Sequence, residues 1–356
     1  MRQTKCPNVL RLINILILML LCSGCEHRPL VDLNELHYVR IYLDEHIRNV
    51  SYGFYDETKE KPEYKTPAVM RVALFEPSSG ILVSERYLRD SGTDEKGNYI
   101  HGYVSVPAGS YNLLAYNFDT HNIKIKNDRW YMSMEVSSSP VGANVKDNLA
   151  SMRSGNSTQV EEEILSEPDH FFVANSVDVN LKLTDKIDTL RNLDGSDFVA
   201  KSMVKTYYMQ VNVKGVEYIS SAVAFITGMA SSAKLHSGEL NNNSSASIYF
   251  TMKNDATDMR RNGNVAAAYA TFNTFGKLEG VEGYINITFE FNTKWGSVQT
   301  ETIRVTDMFD TPQVKEKQWI IIDKVIEITP PGGNDSSGGV KPGVNNWDEI
   351  QGNITI

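Results

Sequence analysis

The sequence predicts an all-β protein made of two tandem antiparallel β-sandwich domains. Apolar and polar residues alternate over many short stretches, and turn-forming residues separate these stretches at regular spacing. Few stretches show the period of an amphipathic helix. A chain of 356 residues is also long enough for two hydrophobic cores.

The first half of the chain contains eight predicted strands. Two of them flank the turn composition Pro77-Ser78-Ser79-Gly80 and therefore predict a hairpin. Another two flank Pro107-Ala108-Gly109 as a strand–turn–strand unit. The predicted strands are 38–43, 50–55, 70–75, 81–87, 103–106, 111–117, 170–174 and 177–183.

Two polar intervals interrupt this pattern. Residues 137–167 predict a long surface loop, with one short helix near 147–152. Residues 185–201 predict the boundary between an N-terminal domain, 25–190, and a C-terminal domain, 200–329. The strand pattern then resumes over 207–213, 222–227, 247–252, 268–274, 284–292, 298–305 and 319–328.

The first 24 residues predict a bacterial lipoprotein signal. Three cationic residues precede an apolar run, 12–21, which is too short to span a membrane comfortably. The sequence L-C-S-G-C, which ends at Cys25, resembles a lipobox, in which the cysteine thiol receives a diacylglyceryl group. Two alternatives are an ordinary cleaved signal that happens to contain cysteine, and an uncleaved anchor helix. We expect cleavage before Cys25 and a membrane tether on its lipid.

Cleavage there would remove two of the three cysteines and leave Cys25 alone. The mature chain would then have no disulfide and no thiolate metal site. Its net charge would fall from −9 to −12, because three cationic residues are lost. Such an acidic balance argues against nucleic-acid binding and against peripheral binding to anionic lipid.

The C-terminal part of the sequence differs from the rest. Residues 330–345 have the composition of a flexible linker, and residues 346–356 form a strand-like tail. The tail either folds back as an edge strand of its own domain or inserts into the open sheet edge of a partner. The apolar residues that would carry either role are Trp347, Ile350, Ile354 and Ile356.

No catalytic motif is present, so we predict a non-enzymatic protein without a cofactor. The adjacent Asp169 and His170 would point to opposite faces of a strand, which makes a catalytic dyad improbable. Asp119 is expected to form a turn, and the acidic run 161–163 is expected to be a solvated face rather than a calcium site. Glycan binding by exposed aromatic residues such as Trp130 and Tyr131 is the alternative function.

Several segments together resemble a known family. They are Met70-Arg71-Val72-Ala73-Leu74-Phe75, Val106-Pro107-Ala108-Gly109-Ser110-Tyr111-Asn112-Leu113-Leu114-Ala115-Tyr116-Asn117-Phe118-Asp119, Glu167-Pro168-Asp169-His170-Phe171-Phe172-Val173, residues 222–240 and Trp347-Asp348-Glu349-Ile350. In this order, with the lipobox, they resemble an uncharacterised family of Bacteroidetes lipoproteins allied to the fimbrillin superfamily, in particular to anchor subunits of the minor fimbria.

The resemblance implies transthyretin-like β-sandwiches in a lipoprotein of the outer membrane, exposed at the cell surface. It also implies that other fimbrial subunits are the partners and that assembly proceeds by strand exchange. An arginine that would mark removal of an N-terminal strand has no match here, which argues against shaft behaviour. The function that we expect is that of a non-enzymatic, membrane-anchored fimbrial subunit or anchor.

Overall fold

The computed structural model describes residues 34–44, 66–143, 145, 163–182, 187–255, 266–278 and 285–330. Within these ranges most residues lie in strands, which confirms the predicted all-β class. The strands are β1 (Asn34–Leu43), β2 (Met70–Phe75), β3 (Leu82–Leu88), β4 (Asp90–Asp94), β5 (Gly97–Pro107), β6 (Gly109–Asn117), β7 (Ile123–Lys126), β8 (Glu135–Ser138), β9 (Glu163–Ser166), β10 (Phe172–Leu181), β11 (Phe198–Ser202), β12 (Lys205–Lys214), β13 (Ile219–Ala230), β14 (Ser232–Lys234), β15 (Ser245–Asp255), β16 (Ala267–Thr274), β17 (Asn286–Thr293), β18 (Val298–Arg304) and β19 (Trp319–Glu327).

Helical structure is confined to short pieces in the described residues. Three 3-10 turns span Tyr131–Ser133, Val216–Tyr218 and Thr306–Asp310, and α1 spans Pro312–Lys317. The sequence around α1 explains its bounds. The Thr311 hydroxyl accepts the N–H of Val314 as an N-cap, and Gln318 ends the helix with φ at 56°.

The first sheet has the strand order β3-β2-β6-β10-β11-β1-β5-β4. β2 and β3 form the predicted antiparallel hairpin. β5 and β6, by contrast, are not neighbours, so the turn between them joins distant parts of the sheet. Apolar side chains from β1, β2, β5, β6, β10 and β11 share one core, which means that the sheet folds over itself as a sandwich.

The second sheet has the order β18-β17-β13-β15-β16-β12-β19, and β9 also pairs with β15. β15 pairs with β13 through 245–252 and with β16 through 253–255, so it passes from one layer to the other. One core lies between the layers, and the rings of Phe250 and Phe272 stack within it at 4.0 Å. Most pairs are antiparallel, as predicted, but β12–β19, β9–β15 and β1–β11 are parallel.

A third sheet, β14-β8-β7, combines strands from both halves of the chain. Beside it lies a separate apolar cluster, which we call the junction core. Its residues also come from both halves: Ala73, Phe75, Leu114, Tyr116, Tyr131, Met134, Val136, Phe171, Val173, Val204, Ala230, Ala233, Leu235, Phe275 and Leu278. The two large sheets are therefore joined by a continuous hydrophobic contact.

The polar intervals differ from the expectation. The ends of 137–167 are not surface loop, because β8 runs to Ser138 and β9 buries Ile164 and Leu165. The predicted helix near 147–152 and the predicted strand 50–55 lie outside the described residues. The predicted strands 170–174 and 177–183 form one strand, β10, with a register irregularity between Ser176 and Val179.

Candidate functional site

The sequence-predicted site residues lie outside the described part of the chain. They are the lipid site Cys25 and the tail residues Trp347, Ile350, Ile354 and Ile356. The structure does describe the strand that leads to the tail. β19 ends at Glu327, and the described chain continues to Pro330. The surroundings of β19 are therefore the candidate functional site.

β18 and β19 are the two end strands of the second sheet. Each has a strand on one side only among the described residues. The backbone N–H and C=O groups on the other side of such a strand are available to pair with an additional strand. The second sheet thus offers two edges at which a strand can be added.

Side chains connect these two edges. The Gln299 amide on β18 donates a hydrogen bond of 2.7 Å to the backbone oxygen of Glu327 on β19. Lys324 on β19 also pairs with Glu301 on β18. The two end strands consequently lie opposite each other across a space that side chains bridge. We call this space the β18–β19 gap.

The pattern of burial along β18 identifies which residues face the gap. Half-buried and exposed residues alternate strictly from Val298 to Arg304, with Gln299, Glu301 and Ile303 half-buried. Ile303 packs against the core of the second sheet, whereas Gln299 and Glu301 make the bridges to β19. Inward-facing polar residues of this kind protect an edge strand from unspecific pairing. Polar side chains of both end strands therefore bridge the gap, whereas Ile303 packs into the core.

The chain leaves β19 through a tightly constrained position. The N–H of Ile328 donates to the backbone oxygen of Lys214 at 2.9 Å, and the Ile328 side chain is buried. Gly215 lies directly against this exit with φ at 87°, and a Cβ there would overlap the carbonyl oxygen of Ile328. Gly215 therefore allows the two segments to approach and fixes where the described chain leaves the sheet.

The β4 edge of the first sheet is different. β4 is only five residues long and has Asp90 and Asp94 at its ends. The Asp94 carboxylate accepts hydrogen bonds from the Tyr42 hydroxyl at 2.6 Å and from Arg40 at 3.1 Å. The Tyr42 hydrogen bond lowers the pKa of Asp94 below its usual value. A short, charged strand is a poor template for a further strand.

A buried charge lies beside the junction core, next to Tyr116. Arg71 on β2 is only 3 % exposed, and its guanidinium donates to Glu85 at 2.9 Å, to the Tyr116 hydroxyl and to Asp128 at 3.3 Å. Burial raises the pKa of Tyr116 to about 12, so the hydroxyl remains protonated. The sequence shows Arg71 only as one charge within an apolar strand, and it gives no signal of these partners.

The segment Glu167–His170 connects β9 of the second sheet to β10 of the first. The Asp169 carboxylate accepts backbone N–H groups of His121 at 2.7 Å and Asn122 at 2.6 Å. Burial raises the pKa of Glu167 to about 7 and lowers that of His170. Asp169 therefore holds a loop. Neither Asp169 nor His170 lies within a strand, because β10 begins at Phe172, two residues after the predicted start of the strand 170–174.

The other sequence candidates also have structural roles or do not assemble. Asp119 accepts the N–H of Ala68 at 2.8 Å. Glu163 is exposed at the start of β9, whereas residues 161–162 lie outside the described ranges. Trp130 is 51 % exposed, but Tyr131 is buried and donates to Asn175 at 2.7 Å. Trp130 and Tyr131 therefore do not form the shared aromatic surface that glycan stacking would need.

The described residues contain neither a candidate metal site nor a candidate membrane-spanning helix. Among the described side chains, no group of three or more His, Cys, Asp or Glu residues is placed to hold a metal ion. None of the helices in the described ranges has the length and hydropathy needed to cross a membrane.

Three known proteins are similar to this chain over most of its length. A protein of Bacteroides ovatus that is named a fimbrium anchoring subunit, Fim4B, is 23 % identical over 98 % of this chain and 97 % of its own length. A crystal structure described as an adhesin from Bacteroides ovatus is 21 % identical, with a TM-score of 0.53 over 87 % of this chain and 99 % of the other. The fimbrial anchor protein Mfa2 from Porphyromonas gingivalis is 13 % identical, with a TM-score of 0.43 over 82 % and 91 % of the two chains.

A family model described as "Domain of unknown function (DUF5119)" matches residues 24–251, which is more than half of the chain. The resemblance to the fimbrillin superfamily that the sequence motifs predicted is confirmed. The chain belongs to the DUF5119 family.

Proposed function

We propose that this chain is a non-enzymatic fimbrial subunit of the cell envelope and that it acts as an anchor. The observation that carries the proposal is the similarity to the anchoring subunit Fim4B along almost the whole of both chains. An all-β fold with edges open to strand addition suits a protein that assembles with other subunits. The partners in this proposal are other fimbrial subunits.

We propose further that Cys25 carries the tether to the outer membrane. The signal before Cys25 and the lipobox-like L-C-S-G-C sequence support this role. Each acyl CH₂ that enters a membrane contributes about 0.8 kcal/mol, so two or three chains together hold a protein there. The anchored chain would then lie at the cell surface.

Metabolic labelling with a radioactive fatty acid, followed by membrane fractionation, tests the tether. The Cys25→Ala variant should lose the label and leave the outer-membrane fraction. Cys6→Ala is the matched control, because it removes a cysteine of the signal segment and leaves the whole L-C-S-G-C sequence in place. A Cys25→Ala chain that remains labelled and membrane-bound would show that the tether lies elsewhere.

We propose that assembly uses strand exchange at the β18–β19 gap and the tail 346–356. Both edges of the gap are open except for the bridges of Gln299 and Lys324. The composition of residues 330–345 predicts a flexible chain, with a root-mean-square span of about 20–24 Å. This length allows the tail to reach either its own gap or that of a neighbouring subunit.

Deletion of residues 346–356 tests this mode of assembly. The truncated chain should no longer co-purify with fimbrial subunits, whereas its circular dichroism spectrum and melting temperature should match those of the full chain. Retained co-purification would exclude the tail as the assembly element. Loss of the folded spectrum would show that the tail is a structural part of its own domain.

The two-domain division is also a proposal. The sequence places the domains at 25–190 and 200–329, on either side of a polar interval. β11, which contains Phe198–Ser202, pairs with β1 and β10 of the first sheet. β12 begins at Lys205 in the second sheet. We therefore place the change of domain at residues 203–204, and limited proteolysis with mass spectrometry of the fragments would test it.

A further inference from the structure

Four large apolar side chains lie exposed at one end of the first sheet. Ile81, just before β3, and Trp130 are partners in an isolated antiparallel bridge. Backbone hydrogen bonds of 2.8 Å and 3.0 Å flank this bridge and hold the two segments side by side. Val83 and Met132 each lie two residues from the bridge. The side chains of these four residues are between 43 % and 64 % exposed, and we call them the apolar patch.

The residues between those of the patch fix it to the body of the protein. Leu82 packs against the junction core, and Tyr131 is a member of it. The Tyr131 hydroxyl donates to Asn175 at 2.7 Å, and its ring lies 5.5 Å from that of Phe75. The exposed side chains of the patch are therefore carried on a packed base.

The registers of the strands place the patch at the end of the first sheet where β1 begins. Asn34, the first residue of β1, lies opposite Pro107, and β6 starts two residues after Pro107. The fourth residue of β6, Asn112, pairs with Phe75, and Phe75 pairs with Leu82 beside the patch. Three residues of a strand span about 10 Å, so the patch is about that far from the level of Asn34 along the strands.

The proposed lipid site lies near the same end of the first sheet. Cys25 precedes Asn34 by nine residues. A chain of that length spans at most about 30 Å, so a lipid on Cys25 keeps this end of the sheet close to the membrane. The chain passes to the second sheet from the opposite end, where β11 ends at Ser202.

The chemistry of the patch suits a lipid surface. An indole ring is amphipathic and favours the headgroup layer of a membrane, and large apolar side chains beside it can enter the boundary of the acyl chains. Two exposed cationic residues, Lys126 and Arg129, lie close to Trp130 in the chain. The carboxylate between them, Asp128, is paired with Arg71 at 3.3 Å.

We propose that the apolar patch is a membrane contact, in which Ile81, Trp130 and Met132 enter the headgroup layer of a phospholipid bilayer once the chain is tethered. Four partly exposed side chains are a weak membrane signal by themselves, and the chain is acidic, with the exposed Glu76 near the patch. The contact therefore depends on the tether and gives the anchored protein a defined orientation. This inference rests on the proposed tether at Cys25, so its test supplies the tether chemically.

Quenching of tryptophan fluorescence by brominated lipid tests the contact. The mature chain 25–356 is coupled through the Cys25 thiol to a maleimide lipid in vesicles of phosphatidylethanolamine and brominated phosphatidylglycerol. Cys25 is the only cysteine of this chain, so the tether is defined whether or not cells acylate it. Emission of the coupled chain should be quenched and shifted to shorter wavelength. The uncoupled chain with the same vesicles should be quenched much less.

Variants assign the quenching to the patch. Trp130→Phe should lose most of the quenching, whereas Trp295→Phe, in the turn between β17 and β18, is the matched control and should retain it. The double variant Ile81→Ser and Met132→Ser keeps Trp130 as the reporter and should reduce its quenching. Leu193→Ser is the control for the double variant, because Leu193 is 75 % exposed and lies outside the patch.

The proposal is overturned if coupled Trp130→Phe is quenched as strongly as Trp295→Phe, or if the double variant is quenched like Leu193→Ser. It is also overturned if Trp130 is not quenched while the double variant no longer co-purifies with fimbrial subunits, since the patch would then bind protein. Failure of the fatty-acid labelling of Cys25 in cells would contradict the proposed tether alone, because the chemical coupling does not depend on that labelling.

Discussion

The junction core and the β18–β19 gap both join distant parts of the chain, but they do so by different means. At the junction, buried apolar residues from both halves pack together, and the buried Arg71 donates to Tyr116, a member of the junction core. At the gap, two end strands face each other through the side chains of Gln299, Glu301 and Lys324. Lys324 is 55 % exposed and Glu301 is 33 % exposed.

This difference indicates that the junction core is a permanent contact, whereas the β18–β19 gap can open. Burial of apolar area makes the junction costly to disrupt. Partly exposed ion pairs contribute little, and an incoming strand that supplies a ladder of backbone hydrogen bonds can replace them. We infer that the junction keeps the two sheets together while the gap changes partners.

The largest effect is expected at the junction core. Phe75→Ala removes a fully buried ring that contacts Tyr131, and should lower the free energy of unfolding by about 3–5 kcal/mol. Urea denaturation followed by fluorescence measures it. The control is Phe118→Ala, since the Phe118 side chain is 49 % exposed and its loss should change stability little. Equal effects of the two variants would contradict a packed junction.

A buried and a partly exposed arginine of the first sheet provide a second comparison. Arg71→Met leaves Glu85 and the Tyr116 hydroxyl without their buried donor and should cost about 2–4 kcal/mol. Arg40→Met breaks a pair with Asp94 whose side chains are 31 % and 34 % exposed, and should cost less than about 1 kcal/mol. Thermal unfolding of both variants measures the difference. If Arg71→Met lowers the free energy of unfolding as little as Arg40→Met does, the buried charge of Arg71 does not stabilise the fold.

The third prediction concerns pH. Because burial raises the pKa of Glu167 from 4.5 to about 7, the folded chain binds a proton more tightly than the unfolded chain. Stability should therefore fall by about 2–3 kcal/mol as pH rises through this range. The lowered pKa of His170 acts in the opposite direction below its usual value, so the comparison must be made with Glu167→Gln. This variant should be the more stable one at pH 8, and identical pH profiles would refute the prediction.

The smallest effect is expected at the gap. Gln299→Ala removes the hydrogen bond to the Glu327 backbone and should cost about 0.5–1 kcal/mol. Hydrogen exchange of the β19 amides should become faster in this variant. Thr300→Ala on the exposed face of β18 is the control and should leave the exchange unchanged. A loss of several kcal/mol in Gln299→Ala would indicate that the gap is a fixed part of the core.

The local pattern of the sequence predicts the long strands well. The strand 70–75 matches β2, and the alternation in 207–213 and 268–274 lies within β12 and β16. β8 and β9 were missed because each has only four residues, and each pairs with a strand of the other half, β14 and β15. Pairing at such sequence distance leaves no periodic signal.

The candidate sites show the same limit. The alternation in 298–305 places the polar residues Gln299 and Glu301 on the half-buried face of β18. The sequence therefore contained a signal for the gap. The sequence contained no signal for the apolar patch, because only the fold brings Ile81 beside Trp130. The predicted lipid site and tail stay predictions.

The anchor function can be measured directly through the fimbriae that cells release into the medium. Cells that carry Cys25→Ala should assemble fimbriae and shed most of them, whereas cells that carry Cys6→Ala, which leaves the L-C-S-G-C sequence intact, should retain them at the surface like the unchanged strain. Quantitative immunoblotting of fimbrial subunits in medium and cell fractions gives the ratio. Equal retention in the two variants would contradict the proposal that this chain anchors a fimbria through Cys25.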